Sequence, residues 1–171
     1  MLIGVENHSY IVIYKRIEMK KVEERIEEIA REVAESRGLV LLEVEYFPSK
    51  TNSLIRLYLY RKEKQVSLVD CEQVSREVEL LLDEEDFMPG SYTLEVSSPG
   101  LFRKIKHQKE YELFLSQRIR VLYRDEMNNT LEVTGVIIRT GENSLTLDLG
   151  EKGLVTINFR LILQANLAPE I

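Results

Sequence analysis

Ser97 and Ser98 stand side by side ahead of Pro99 and Gly100, and Arg103 and Lys104 follow shortly after. Two hydroxyls, backbone N–H groups that a Pro-Gly turn can leave free, and two fixed positive charges form a set able to hold a phosphate or a carboxylate. Ser, Pro and Gly clusters also serve simply to shape turns. Covalent chemistry has less support. The serines lack a G-x-S-x-G elbow, and His107 lies ten residues beyond Ser97 with no obvious carboxylate to orient it. The chain has 2 histidines and 1 cysteine, too few for a zinc site at the usual spacings. Cys71 falls within an apolar helical stripe and reads as a packing thiol. Asp83-Glu84-Glu85-Asp86 lacks the alternating ligands and the glycine of a calcium loop. Gly150-x-x-Gly153 imitates a KH-type backbone clamp but joins two strand-like runs, so it reads as a hairpin turn. Neither a P-loop nor G-x-G-x-x-G is present. The expectation is a protein that binds rather than catalyses, without cofactor or metal.

The elements that must position these residues follow from periodicity. The 171 residues are 44% hydrophobic and 30% charged, which suits one large or two small globular domains. Residues 1–18 look like a detachable leader, with a β-prone Ser9–Tyr14 run and a second methionine, Met19, before the first strong helical pattern. Translation starting at Met19 is one expectation for this segment. It has neither the basic start nor the cleavage site of a secretory signal, and no stretch of the chain is long enough to cross a bilayer. From Lys20 to Arg37, Val22, Ile26, Ile29, Ala30 and Val33 recur at helical spacing, and Gly38 stands where a left-handed cap is wanted. Val40, Leu42, Val44 and Tyr46 then alternate with Glu43 and Glu45. After a turn, Ile55, Leu57 and Leu59 oppose Arg56, Tyr58 and Tyr60, predicting an antiparallel hairpin. Ser67 with Asp70 forms a capping box for a helix whose stripe is Cys71, Val74, Val78, Leu81 and Leu82. A strand from Tyr92 sets Leu94 and Val96 against Thr93 and Glu95.

The order helix, strand, strand, helix, strand over residues 19–98 predicts a KH-like two-layer sandwich with both helices on one face of the sheet. Its other face would carry Glu43, Glu45 and Glu95, a candidate protein-binding face. The aromatic residues there could stack bases, although the glutamates would repel phosphate. Residues 99–117 form a joint and a short helix (His107–Ser116) that buries Tyr111 and Phe114. Short alternating runs at Arg118–Tyr123, Leu131–Arg139, Ser144–Leu149, Leu154–Phe159 and Ala165–Leu167 predict a small SH3-like (Sm-like) β-barrel over residues 118–171, with Gly135 at a bulge. The overall class is α+β. The net charge of −6 divides unevenly: residues 1–100 hold 13 Lys and Arg against 20 Asp and Glu, whereas residues 101–171 hold 10 against 9. An acidic first half suits a basic partner, and the second half does not repel phosphate. The single cysteine cannot form an intramolecular disulfide and fits a cytoplasmic setting.

Leu94-Glu95-Val96-Ser97-Ser98-Pro99-Gly100-Leu101 with Arg103 beyond it closely resembles the signature of the bacterial ribosome maturation factor RimP family. Val69-Asp70-Cys71-Glu72 with Val74-Ser75-Arg76, Leu82-Asp83 with Glu85-Asp86, and the closing Ala165-Asn166-Leu167 extend the resemblance across about residues 20–171. The resemblance implies an N-terminal α/β domain, a C-terminal SH3-like barrel and a non-catalytic role in assembling the small ribosomal subunit. The implied partners are the immature small subunit, its rRNA and a basic small-subunit ribosomal protein, met by a cytoplasmic monomer that needs no membrane. The elbow residues Ser97, Ser98, Pro99, Gly100, Arg103 and Lys104 become the candidate contact site, with Arg103→Glu expected to weaken association while leaving thermal stability nearly unchanged. Phe102 stands where the family usually has aspartate, Lys104-Ile105 where it usually has Pro-Leu, and Gln164 where lysine is common. Two other classes fit the residues less closely: a KH-like or Sm-like RNA-binding regulator unconnected with ribosomes, and a pure protein adaptor.

Overall fold

The computed structural model describes residues 7–62, 64–100 and 103–168. They fall into two compact units, one ending at Ser98 and the other beginning at Pro99.

The first unit runs α1 (Asn7–Ser36), β1 (Val40–Phe47), β2 (Asn52–Tyr60), α2 (Leu68–Glu85) and β3 (Ser91–Ser97). Helix α1 ends in a Schellman motif. Gly38 takes φ +65°, the Leu39 N–H reaches the Ala34 carbonyl at 2.9 Å, and the Gly38 N–H reaches that of Glu35 at 3.0 Å. Leu39 and Ala34 are both buried, so the cap also seeds the core. Ser67 and Asp70 close the expected capping box on α2. The sheet order is β1-β2-β3, with β2 antiparallel to β1 and parallel to β3. Ile26, Ile29 and Val33 of α1 and Val74, Val78 and Leu82 of α2 share one core with Ile55, Leu57 and Leu59 of β2. Both helices therefore cover one face of the sheet.

Two local expectations are corrected in this unit. The Ser9–Tyr14 run is helical, because α1 continues unbroken from Asn7 through Met19. In β1 the residue turned fully into the core is Leu41, with Leu42 half-buried. A register shift between Leu41 and Glu43 exchanges the two sides there, after which Val44 and Tyr46 pack on the core as expected.

The second unit carries α3 (Glu110–Leu113), β4 (Arg118–Arg124), β5 (Thr130–Thr140), β6 (Ser144–Asp148), β7 (Leu154–Asn158) and β8 (Ile162–Leu167). All its ladders are antiparallel, in the order β7-β6-β5-β4-β8. Ile119, Val121, Ile137, Leu145, Leu147, Ile157 and Ala165 are buried along it. The expected barrel is not closed: β7 and β8 are the two edges of an open sheet. A 3₁₀ turn (Gly150–Lys152) joins β6 to β7, so Gly150-x-x-Gly153 is a hairpin connection. The irregularity in β5 lies between Ile137 and Arg139 rather than at Gly135. Gly135 pairs regularly with Ile119, but a Cβ there would stand 2.5 Å from the Asp148 carbonyl oxygen. Close approach of the end of β6, not a bulge, requires the glycine. The helix after the joint is shorter than His107–Ser116: it spans Glu110–Leu113 with its C-cap at Phe114, and Ser116 beyond it is left-handed at φ 68°. It still buries Tyr111 and Phe114, as the sequence predicts.

Candidate functional site

The elbow residues are distributed over the ends of both units. In the first, Ser97 closes β3 opposite Tyr58, and Ser97 and Ser98 are exposed. In the second, Pro99 is half-buried and Gly100 exposed. The Gly100 carbonyl accepts the Arg103 N–H at 3.0 Å, making a turn. Gly100 is not among the glycines with positive φ, and a Cβ added to it meets nothing within 4 Å. Neither backbone angle nor close approach therefore requires a glycine at this position. Leu101 and Phe102 lie outside the described residues.

Beyond the turn the chain runs beside β8. The Leu167 N–H donates to the Arg103 carbonyl at 2.9 Å, and the Ile105 N–H donates to that of Ala165 at 2.8 Å. Lys104 bridges to Asn166 and is exposed, whereas Ile105 is buried. Alternation along this edge segment thus aims Lys104 outward.

Arg103 has a different position from the surface cation expected of it. Its guanidinium faces Glu110 at 3.2 Å, with side-chain exposures of 7% and 5% for the pair. The other carboxylate oxygen of Glu110 accepts the backbone N–H groups of Lys106 and His107 at 3.2 and 3.1 Å. A buried carboxylate held this way fastens the joint to the start of α3. Sequence reading overlooked Glu110, although its place three residues after His107 is the spacing at which a Glu reaches back to a helix-start N–H. Beside this pair lies a groove of about 520 Å³, with Lys104, Lys106, His107 and Gln164 around Tyr111, Phe159 and Ile162. The Tyr111 and Phe159 rings lie 5.2 Å apart.

On the first unit's open sheet face, Glu95 pairs with Arg56 at 2.6 Å, and Glu45 accepts the Tyr58 hydroxyl at 3.0 Å. The Arg56 guanidinium also stands 5.8 Å from the Phe47 ring centre. Its bond to Glu95 raises the Arg56 pKa further. Desolvation, followed by the bond to Glu45, raises that of the Tyr58 phenol. Glu43 is half-buried on the same strand as Glu45. The arginine and tyrosine of this face are thus engaged with carboxylates rather than open for base stacking. The acidic helix faces are likewise laced to arginines: Arg37 meets Glu77 at 2.7 Å, Arg25 meets Glu85 and Arg61 meets Asp70 at 3.0 Å. Cys71 is half-buried, and burial pushes its thiol pKa up, which fits a packing role rather than that of a nucleophile. Among the described residues, no group of His, Cys, Asp and Glu is arranged to hold a metal ion, and no helix is long and apolar enough to cross a membrane.

These observations define an α+β protein of two units, an α-β-β-α-β layer pair and an antiparallel sheet, whose conspicuous polar groups are ion pairs, caps and an exposed Ser-Ser step. Residues 29–102 match the family model described as the RimP N-terminal domain. The first unit is thus similar to the N-terminal domain of the RimP family.

Proposed function

We propose that this protein acts in assembly of the small ribosomal subunit, binding the immature particle through its rRNA and a basic ribosomal protein and carrying out no covalent chemistry. The observation that carries this reading is the match of the first unit to the family's N-terminal domain. The division of charge supports it. Residues 1–100 have a balance of −7, suited to a basic protein, while residues 101–171 have a balance of +1 and can approach phosphate. In this reading the second unit is SH3-like in its strand order although its sheet stays open, and the protein is a cytoplasmic monomer.

The elbow works in two layers. Ser97, Ser98, Gly100 and Lys104 are exposed and supply hydroxyls, backbone and one cation to the partner. Pro99 stiffens the turn, and Arg103 acts through its buried pair with Glu110 by fixing where Lys104 stands. Glu43, Glu45 and Glu95 form the acidic face for the basic protein, held in place by Tyr58 and Arg56.

Depletion of the protein in its native cell tests the reading. Precursor small-subunit rRNA and free, unjoined subunits are expected to accumulate. An unchanged ribosome profile and normal rRNA ends after depletion would remove the assembly role.

A further inference from the structure

The ladder pairings of the second unit align residues from separate segments on one side of its sheet. Lys104 bridges to Asn166, Asn166 pairs with Arg120, and Arg120 pairs with Thr134. Directly paired residues project to the same face. Arg118 joins them by strand alternation, as does Gln164, two residues from Asn166. The intervening residues Ile119, Val121 and Ala165 are buried, so the row lies on the sheet's outer side. Lys104, Arg118, Arg120 and Gln164 are exposed, and Asn166 is half-buried. The Gln164 amide nitrogen donates to the Asn166 side-chain oxygen at 2.8 Å, joining the two amides into one strip. Glu132, opposite Leu122, and Asp148, opposite Val136, are carboxylates on the same side, at the margin of the row.

We propose that this face binds single-stranded RNA, with Lys104, Arg118 and Arg120 meeting backbone phosphates and the Gln164–Asn166 amides meeting base edges. The inference rests on the reading of the protein as a factor for an RNA-rich particle, and it assigns the RNA contact to one surface. Charge decides against a basic protein as the occupant, because cations would face cations. Topography decides against a duplex. Neighbouring strands are about 4.8 Å apart, so Lys104 and Arg120 stand roughly 10 Å apart across a nearly flat surface. Duplex RNA is recognised by elements that follow its grooves, whereas splayed bases lie on sheets. The groove beside Lys104 and Gln164 adds half-buried Phe159, an aromatic side chain of the kind on which bases stack.

The test is fluorescence anisotropy of the full chain with a labelled single-stranded RNA of roughly 20 nucleotides and mixed sequence. The double variant Lys104→Glu/Arg120→Glu is expected to weaken binding at least about tenfold and to flatten the slope of log affinity against log salt by roughly 1.4. The control Arg139→Glu/Lys152→Glu changes net charge equally at exposed positions outside the row, and should lose less than about threefold. The milder Lys104→Gln/Arg120→Gln pair should fall between them, with melting curves of all variants confirming that the fold survives. Unchanged RNA affinity in the folded double variant, or an equal loss in the control, overturns the proposal. Normal RNA affinity with lost sedimentation on small-subunit precursors also overturns it, since the face would then meet protein. If RNA binding depends on the face but the wild-type chain never sediments with small-subunit particles, the face stands and the assembly reading fails.

Discussion

Arg103 and Glu110 show how a single residue can be chemically apt for a partner yet committed to the fold. Their side chains are 7% and 5% exposed, and removing one partner from such a pair leaves a buried charge uncompensated. Breaking a buried pair typically costs about 3–5 kcal/mol. Glu110→Ala should therefore lower unfolding stability by about 3 kcal/mol in urea titration, and Arg103→Glu by at least as much, reversing the near-neutral effect that the sequence suggests. A loss below about 1 kcal/mol would place the pair in solvent. Glycines separate in the same way. Gly135→Ala drives a Cβ against the Asp148 carbonyl oxygen at 2.5 Å and the Leu149 side chain at 2.6 Å, and should cost about 1–3 kcal/mol. Gly100→Ala has open space around it and should fall within about 0.5 kcal/mol of wild type by the same titration. Residue types and spacing made the Ser-Ser-Pro-Gly step visible in the sequence. They could not show that Arg103 is buried, since that depends on a carboxylate delivered by the start of α3.

At the scale of elements, local signals were the readable ones. Gly38 and the Ser67–Asp70 box marked helix ends because caps are built from neighbours in sequence. Ser67→Ala should destabilise the first unit by about 1 kcal/mol, measured by thermal unfolding. The Ser67 hydroxyl and N–H, with Arg61, hold the Asp70 carboxyl well below the usual carboxylate range. Its contribution is therefore present above the unfolded-state pKa and is lost as pH falls toward the lowered folded value. The first turns of α1 were misread because Tyr10-Ile11-Val12-Ile13-Tyr14 is rich in β-branched and aromatic residues. A helix already nucleated downstream gains a hydrogen bond for each added residue, and that outweighs a modest propensity deficit. Val12, Ile13, Tyr14, Ile17 and Met19 are exposed, while the core begins at Val22 and Ile26. Removing residues 1–18 should thus reduce helical ellipticity at 222 nm yet change unfolding stability by less than about 1 kcal/mol. A larger loss would tie that segment to the core. The register shift in β1 escaped the sequence because both Leu41 and Leu42 are apolar, so alternation alone could not choose between them.

For the whole molecule, the order α-β-β-α-β followed by a run of antiparallel strands was legible in the sequence, because long helical periods alternate with strand periods in the first half and strand periods dominate the second. The sequence overstated the second half. Five short strands separated by turns suggest closure, but closure depends on non-local pairing between the first and last edges, and β7 and β8 remain edges here. The charge asymmetry was legible as a sum, but its use was not. Several carboxylates in that sum are paired with Arg25, Arg37, Arg56 and Arg61. Cations on the β4–β8 face emerged only once the ladder register was known. Under the proposed function, the second unit meets RNA and the first a basic protein. The most direct measurement is sucrose-gradient sedimentation of native extracts, followed by immunodetection of the protein. Enrichment in free and immature small-subunit fractions with little on translating ribosomes is the expected result; confinement to the top of the gradient, or uniform presence on translating ribosomes, would contradict the claim.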